Sequence, residues 1–487
     1  MKISINNTIG ILSILIFSFS SCIKTPEFSA NSNLKFSKDT VYFDTIFTRK
    51  PGSTYPISVT KLVSIKNTEN KWVKATLKLG GGKNSYYKFN VDGIAGPEVK
   101  DLEIGPKDSA FIFVQCALEA NNQINPALIL DSIMANVGTQ QTKIILGAYG
   151  WDAHYIHDSI IASNSTWSDV NKPYVIIGNL YIPPNISLKW NEGIKVFASA
   201  RTYIYNLGQL NISGTAENRV SVKGDKPVFN SQFLPNQWGG IYVPPGGKIV
   251  ANFSDISNAS IGIIARTPVT QDEKDALDAF ASELGGSIDY SQKPEIVLNQ
   301  TRIQYCGQAC LLGLNAKIIG ENCLFADAGS YSFLGYYGGS YSFNHCTFAD
   351  YSYFGNRNEG HFGFTNTLRD GNGILLSTND LSFTLNNSII WGYKTEEINS
   401  DQMNSSLFLI DANNNLLKSK NDKNVFNKIS NSFNSNPRFI DEDRGNYQLD
   451  TLSFAFEKAN PSTSSAVDLT GKTRKIKPDL GAYERFE

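Results

Sequence analysis

Residues 299–352 read NQTRIQYCGQACLLGLNAKIIGENCLFADAGSYSFLGYYGGSYSFNHCTFADYS and decide the fold, because a short apolar strand phrase recurs in them at nearly constant spacing. Ile303, Phe325 and Phe348 occupy equivalent places in TRIQYC, NCLFADA and HCTFADY, and they lie 22 and 23 residues apart. Ile390, in NNSIIWGY, follows after a further 42 residues, which predicts two more repeats. Short β phrases with Gly, Asn, Asp and Ser turns at this period are typical of a solenoid whose coils stack around one continuous core.

The composition agrees with a secreted, all-β protein. The 487 residues suffice for one compact domain followed by an extended solenoid. Charged residues make up 18% and aromatic residues 12%, and the 44 Lys and Arg nearly cancel the 45 Asp and Glu. Since no strongly basic surface results, nucleic acid is not expected as a partner.

The first 22 residues, MKISINNTIGILSILIFSFSSC, predict an export signal. One basic residue, Lys2, precedes the apolar run 9–19, which is too short to span a bilayer. The ending Ser20-Ser21-Cys22 resembles the lipobox of bacterial lipoproteins, whose cysteine is lipidated after cleavage. The resemblance implies an outer-membrane lipoprotein of the cell envelope, facing the periplasm or the exterior and held to the membrane through acylated Cys22. The alternative is a simple signal peptide with an incidental cysteine.

Residues 34–150 predict a β-sandwich, because seven strand phrases alternate with turn-rich segments. The phrases FSKDTVYFDTIFTRKPGS, LKLGGGKNSYYKFNVDG and ILGAYGWDA resemble the N-terminal immunoglobulin-like domain of Gram-negative lipoproteins. Such domains act as spacers or interaction modules, and the resemblance implies no catalysis. Cys116 alternates with Ile112 and Val114 and is therefore expected in the core.

Residues 151–172 are expected to form a linker, and 173–487 to form the solenoid. His154 and His157 in the linker have no third ligand nearby, which argues against a metal site. The Gly-, Pro- and Asn-broken strands of the second region resemble a right-handed parallel β-helix, a fold shared by pectin-degrading enzymes, phage tailspikes and many surface proteins. The predicted fold class is thus all-β, with a sandwich followed by a β-helix.

Residues 267–292 interrupt the strand pattern. DEKDALDAFASELGG has apolar residues at helical spacing and ends in two glycines, so it predicts an inserted helix that explains the 47 residues between Ile256 and Ile303. Two interpretations stay open: the helix walls a groove, or it covers an exposed coil face.

The cysteines after Cys22 are odd in number, so they cannot all pair. Cys323 and Cys346 each stand two residues before the repeated Phe, which predicts a small apolar ladder between neighbouring coils. Cys306 and Cys310 are spaced for a turn disulfide, which remains an alternative.

Aromatic residues are dense between 331 and 364, and a polar loop is expected at 356–380. Loops on a rigid scaffold collect binding residues, and exposed tyrosines offer faces on which sugar rings stack. The candidate ligand-binding residues are Tyr336, Tyr337, Tyr351, Tyr353, Glu359, His361 and Arg369.

Residues 436–487 are expected to form the last coils and a cap over the open end of the solenoid. The order YQLD, DLTGKTR and PDLGAYE is similar to the C-terminal coils of bacterial secreted β-helix proteins, although LSFAFEKA replaces their usual Ser-Pro-Ala-Ile phrase.

The motifs of catalysis on this fold are missing from the sequence. The Asn-Thr-Asp, Asp-Asp, Gly-His-Gly and Arg-Ile-Lys set of pectin hydrolases is represented only by Gly360-His361-Phe362. Asp441-Glu442-Asp443 lacks the Gly and terminal Glu of a calcium loop, so neither a metal nor another cofactor is expected. The sequence favours a non-catalytic binding or structural surface, for glycan. A polysaccharide lyase or hydrolase, and a subunit of an outer-membrane assembly with a protein partner, are the alternatives.

Replacing Cys22 by Ser removes the thiol that would be acylated. We expect the Cys22→Ser protein to leave the membrane fraction and the detergent phase in a phase-partition assay, since no acyl chain then anchors it. Cys116→Ser serves as the matched control and should stay in the detergent phase. Unchanged partitioning of the Cys22 variant would contradict the lipoprotein hypothesis.

Overall fold

The computed structural model describes residues 26–48, 58–118, 127–225, 233–352, 357–420 and 425–485. The chain forms two compact units, 1–151 and 152–487. Within the described residues, no helix has both the length and the hydropathy needed to cross a membrane. Two predicted residues, Cys22 and Tyr353, lie outside the described part of the chain.

The first unit consists of two β-sheets around a shared core. One sheet has the order β1-β5-β10-β11-β3 with β8 beside β5, and the other has the order β2-β4-β9-β6-β7. The strands are β1 Phe28–Ser29, β2 Leu34–Phe36, β3 Thr40–Phe47, β4 Lys61–Asn67, β5 Trp72–Leu79, β6 Tyr87–Val91, β7 Ile94–Ala95, β8 Glu98–Ile104, β9 Ser109–Cys116, β10 Ala127–Val137 and β11 Gln140–Trp151.

All seven strand phrases of the sequence form strands here, because their alternating apolar residues point into the core between the sheets. Cys116 is fully buried in that core, as predicted. Strand β8 was not predicted, since four of its seven residues are charged and its pairing with β5 contains a register shift.

The second unit is a stack of coils whose strands form one continuous sheet of 25 strands. Its strands are β12 His154–Ile160, β13 Ser165–Trp167, β14 Tyr174–Ile182, β15 Ser187–Trp190, β16 Lys195–Ala198, β17 Tyr203–Asn206, β18 Gln209–Ser213, β19 Val220–Gly224, β20 Gly240–Val243, β21 Lys248–Asn252, β22 Ser254–Ser257, β23 Ile261–Arg266, β24 Glu295–Asn299, β25 Arg302–Cys306, β26 Ala309–Glu321, β27 Leu324–Ala328, β28 Tyr331–Asn344, β29 Thr347–Asp350, β30 Phe362–Thr365, β33 Leu381–Asn386, β34 Ile389–Gly392, β35 Ile398–Asp401, β36 Phe408–Asn413, β37 Leu416–Leu417 and β38 Lys428–Ser430. The pairings within this sheet are parallel, an arrangement consistent with the predicted β-helix.

Each coil contributes a strand to three faces. Face 1 contains β17, β20, β23, the first halves of β26 and β28, β30 and β35. Face 2 contains β15, β18, β21, β24, the second halves of β26 and β28, β33, β36 and β38. Face 3 contains β16, β19, β22, β25, β27, β29, β34 and β37.

The repeated apolar residues stack inside the solenoid as the spacing predicts. Ile303 pairs with Phe325 and Phe325 with Phe348, and the two Phe rings stack with their centroids 5.0 Å apart. Phe348 pairs directly with Ile390, so the prediction of two repeats between them was wrong. One coil is lengthened there by the residues between β29 and β30 and by a hairpin at 367–378 between β30 and β33, which is why counting residues overestimated the number of coils.

The turn between faces 2 and 3 repeats one backbone conformation. Six residues at this position have φ between 43° and 56°: Phe253, Gln300, Asn322, His345, Asn387 and Asn414. The backbone N–H of each donates to a carbonyl of the next coil, so the turns stack as regularly as the strands. Asn adopts the left-handed conformation most readily among residues with a Cβ, which explains its recurrence in the later coils.

Residues 154–167, predicted to belong to a linker, form the first coil of the solenoid instead. Strand β12 pairs with β14 and β13 pairs with β15. The His154 ring stacks on Tyr174, and its Nε2 lies 2.7 Å from Asp169 Oδ2. The sequence pattern did not predict this coil, because the segment WDAHYIHD is polar and contains few aliphatic residues.

The C-terminal segment 436–485 does not form further coils or a cap; it runs along the side of the solenoid as a strap. Its two strands, β39 Phe439–Asp441 and β40 Asn446–Leu449, pair only with each other. The strap covers the outward apolar side chains of face 3, including Leu324, Ala349 and Ile389.

The strap binds the turn column one coil after another, running from the last coils back towards the first. Asn414 Nδ2 donates to the Lys458 carbonyl over 3.3 Å, and the Asn460 N–H donates to Asn387 Oδ1 over 2.8 Å. Further along, Ser464 Oγ lies 2.8 Å from His345 Nε2.

The DLTGKTR and PDLGAYE phrases hold the strap together. Asp468 Oδ1 accepts hydrogen bonds from the Thr470 and Lys472 amides, while Arg474 forms a buried ion pair with Glu484 at 3.1 Å. Arg474 Nη2 also donates to Asn322 Oδ1 over 2.7 Å. These residues have a structural role, since removing one partner of a buried ion pair strongly destabilises the fold.

Asp327 links the strap to face 3, and its protonation predicts a pH dependence of stability. Tyr447 donates a hydrogen bond to Asp327, and burial raises the pKa of this carboxyl to about 7. An unfolded Asp has a pKa of about 3.9, so the folded protein holds more protons between roughly pH 4 and pH 7. The stability that this group contributes is therefore complete below about pH 4 and is lost as the pH rises through about 7.

Asp327→Asn removes this titration while keeping the shape of the side chain. We expect the Tm of the native protein, measured relative to the Tm of the variant, to fall as the pH rises from 4 to 7. Asp411→Asn, at a half-buried carboxyl on face 2, is the control and should give a constant difference. A pH-independent difference for Asp327→Asn would contradict the assignment.

Candidate functional site

An open groove of about 670 Å³ lies on face 1 beside a hairpin, and we call it the hairpin groove. The hairpin consists of β31 Thr367–Arg369 and β32 Leu375–Thr378, which pair antiparallel. The groove is lined by Tyr331, Leu334, Tyr336, Glu359, Gly363, Phe364, Thr365, Thr367, Arg369, Glu396, Ile398, Asn399, Ser400, Asp401 and Val425.

The floor of the hairpin groove is made by outward positions of three neighbouring strands. Leu334 on β28 lies beside Gly363 on β30, which lies beside Asn399 on β35. Because Gly363 has no side chain, the floor is lowest at the middle strand. A Cβ atom at this glycine would lie 2.9 Å from Leu334 Cδ1.

One wall of the groove is fixed by a two-point ion pair between Arg369 and Asp401. Arg369 Nε lies 2.7 Å from Asp401 Oδ2, and Nη2 lies 3.1 Å from Oδ1. Thr367 Oγ1 donates to the same carboxylate over 2.6 Å. The Arg369 hydrogen bond holds the pKa of Asp401 below its usual range. Asp401 therefore anchors the hairpin and is not poised to carry a proton at neutral pH.

A buried ion network beneath the groove anchors the segment that carries Glu359. Arg357 Nη1 lies 2.9 Å from Glu397 Oε2, and its Nε lies 2.9 Å from Asp350 Oδ2. The backbone N–H of His361 donates to Glu397 Oε2 over 3.3 Å. All of these side chains are buried, so removing one partner would leave an uncompensated charge.

The structure brings three of the predicted site residues together: Tyr336, Glu359 and Arg369 all line the hairpin groove. Tyr337 contacts the hairpin from outside the groove lining, where its OH accepts a hydrogen bond from Ser377 Oγ over 2.9 Å. Tyr351 packs against Tyr447 of the strap.

His361 is fully buried rather than exposed on a polar loop. Its Nδ1 lies 2.5 Å from Ser332 Oγ, and burial lowers its pKa to about 4, so the ring is neutral at neutral pH. The neighbouring residues 362–365, predicted to belong to the loop, form β30, with Phe362 and Phe364 in the core. The glycine and polar residues around them concealed this four-residue strand.

Sequence reasoning missed Tyr331, Glu396, Asn399 and Asp401 as lining residues. The last three lie on or next to β35, whose phrase INSD carries no periodic signal of its own. Thr365 pairs with Asp401, so the position of this carboxylate follows only from the register of the coils.

The inserted helix α1, Gln271–Glu283, confirms the helix predicted within 267–292. Phe280 packs edge-on against Tyr181 and Tyr205, with centroid distances of 5.8 and 5.4 Å, so the helix covers part of face 1. It also forms one wall of a hollow of about 280 Å³, which we call the helix hollow. The helix therefore both covers a coil face and walls a groove, the two interpretations that the sequence left open. The helix hollow is lined by Tyr205, Tyr242, Arg266, Pro268, Glu273, Ala276, Leu277 and Phe280.

The four cysteines of the solenoid are free and buried. Cys323 and Cys346 lie next to the paired residues Leu324 and Thr347, so they stack between neighbouring coils as predicted. None of the four lines either hollow. Within the described residues, no group of three or more His, Cys, Asp and Glu side chains is arranged to hold a metal ion.

Comparison with known proteins gives no assignment. No family model and no curated protein matches the chain. Among solved structures, the chain is similar to a PapD-like domain of human CEP192, with 9% identity over 28% of this chain and 97% of that one and a TM-score of 0.18.

It is also similar to a family 123 glycoside hydrolase from Clostridium perfringens, with 8% identity over 54% of this chain and 68% of that one and a TM-score of 0.18. The Agl-KA catalytic domain has 9% identity over 72% of this chain and 76% of that one, with a TM-score of 0.23. At these scores the likenesses carry no argument about function.

The ion pair to Asp401 predicts the mobility of the hairpin. We expect Asp401→Asn to raise amide hydrogen exchange severalfold across residues 367–378, because Arg369 loses its charged partner. Asp411→Asn, on face 2, should leave exchange in the hairpin unchanged. Equal exchange in the native protein and the Asp401 variant would show that the ion pair does not hold the hairpin.

Proposed function

We propose that this protein is a lipid-anchored envelope protein whose solenoid binds glycan in the hairpin groove. In this proposal Cys22 carries the lipid, the first unit is an immunoglobulin-like spacer, and the second unit is a right-handed β-helix. The sequence signals at residues 1–22 and 34–150 support the anchor and the spacer. The proposal needs neither a metal nor a cofactor.

The observation that carries the glycan proposal is the pairing of tyrosines with polar groups in one open groove. Tyr331 and Tyr336 are both half-buried, so each ring keeps exposed surface on which a sugar ring could pack. Glu359 and Asn399 supply acceptors and donors for hydroxyl groups. Eight of the fifteen lining residues carry polar or charged side chains, a composition that suits a ligand rich in hydroxyl groups.

The groove favours binding over catalysis. Asp401 is committed to Arg369, and its pKa is lowered by that contact. Asp327 and Asp350, whose pKa values burial raises to about 7 and about 6, lie on face 3 instead. A glycosidase needs a carboxylic acid and a second carboxylate on either side of the scissile bond. Neither raised-pKa carboxyl lines the hairpin groove, so we do not assign a reaction to it.

Tyr336→Ala tests the proposed function. On an array of soluble polysaccharides, we expect the native protein to retain a subset of them and the variant to bind that subset about tenfold more weakly, the effect of losing about 1.4 kcal/mol of aromatic contact. Tyr86→Ala is the matched control, since Tyr86 is exposed on the first unit. No retention of any polysaccharide, together with recovery of a defined envelope protein in a pull-down, would replace glycan binding with an assembly role.

A further inference from the structure

We infer that the glycan is a linear, uncharged polysaccharide that lies along the axis of the solenoid and reaches from the hairpin groove to the helix hollow. This inference rests on the proposed function and names the class and the orientation of its ligand. Two observations carry it: an outward column of apolar side chains that connects the two hollows, and the distribution of charge in both.

The column follows from the register of face 1. Tyr242 pairs with Ile264, Ile264 with Leu312, and Leu312 with Leu334. Leu334 pairs with Gly363 and Gly363 with Asn399, which is the floor of the hairpin groove. The column thus joins a residue that lines the helix hollow to residues that line the hairpin groove.

Four members of this column face outward and are half-buried: Tyr242, Ile264, Leu312 and Leu334. The same column continues to Tyr205, which also lines the helix hollow, and to Tyr181, and Phe280 of α1 packs edge-on against both rings. The accessible strip therefore begins at the helix hollow. We assign this continuous line of half-exposed apolar side chains to ligand contact, since contiguous apolar surface is where interaction sites occur.

The strip fits an extended chain better than a compact ligand. Five coil steps separate Tyr242 from Asn399, and parallel strands lie about 4.8 Å apart, which gives a strip about 24 Å long. A disaccharide would fill one hollow only. A longer chain gains contacts with Leu334, Leu312 and Ile264, whose apolar side chains suit the C–H faces of sugar rings.

The charges disfavour an acidic polysaccharide. Three carboxylates, Glu359, Glu396 and Asp401, line the hairpin groove against one guanidinium, Arg369, and that guanidinium is paired with Asp401. In the helix hollow, Arg266 is paired with Glu273. Among the described residues that line the two hollows, no cation is left over for a uronate or sulfate group, and like charges facing each other oppose binding.

The test is a titration of the full-length protein with β-linked glucan oligosaccharides from disaccharide to decasaccharide, followed by polygalacturonate at low and high salt. We expect affinity to rise with chain length and then reach a plateau. We expect weak polygalacturonate binding that improves as salt screens the carboxylates. An affinity that does not depend on length, or tighter binding of polygalacturonate at low salt, overturns the inference and leaves glycan binding intact.

Leu312→Lys places a charge in the middle of the strip, away from both hollows. It should remove most of the length-dependent gain, about tenfold for the longest chains, while disaccharide binding stays unchanged. Leu409→Lys, an exposed leucine on face 2, is the matched control and should retain the gain. A Leu312 variant that keeps the full gain overturns the inference. Failure of every oligosaccharide and polysaccharide to bind overturns the proposed function as well.

Discussion

The structure depends on the in-register stacking of apolar side chains inside the solenoid. Ile303, Phe325, Phe348 and Ile390 each lie opposite the next, and parallel pairing keeps successive coils about 4.8 Å apart. When one interior residue is in register with its equivalent in the neighbouring coil, the other residues of the coil are in register with theirs as well. The left-handed turn residues therefore form one line and the outward residues of face 1 form another, although neither set makes the core.

Different parts of the chain pack on these two lines of residues. The strap packs on face 3 and on the turn column, and it buries Asp327 and Arg474 in doing so. On face 1, α1 packs on Tyr181 and Tyr205 through Phe280. The buried charges are consequently structural, as Arg357 and its two carboxylate partners illustrate. The groups that we propose to contact the ligand lie on face 1.

The fold could be predicted from the sequence wherever coils have similar lengths. Ile303, Phe325 and Phe348 gave the register because turns of nearly constant length separate them. The same reasoning miscounted the coil before Ile390, since an insertion changes the spacing without changing the register. Tyr336, Glu359 and Arg369 could be proposed from composition, whereas Asp401 reaches the groove only through strand pairing. The strap was misread because its bonds to the turn column follow no sequence period.

Hydroxyl-radical footprinting of the full-length protein, with and without the polysaccharide it binds most tightly, tests most directly whether face 1 is the binding surface. Tyr331, Leu334 and Tyr336 should become less oxidised in the complex, because ligand covers their exposed surface. Leu452 and Ile476 on the strap, 71% and 93% exposed, should be oxidised equally in both samples. Protection of the strap residues, with no change at the three groove residues, would contradict the assignment of face 1 as the binding surface.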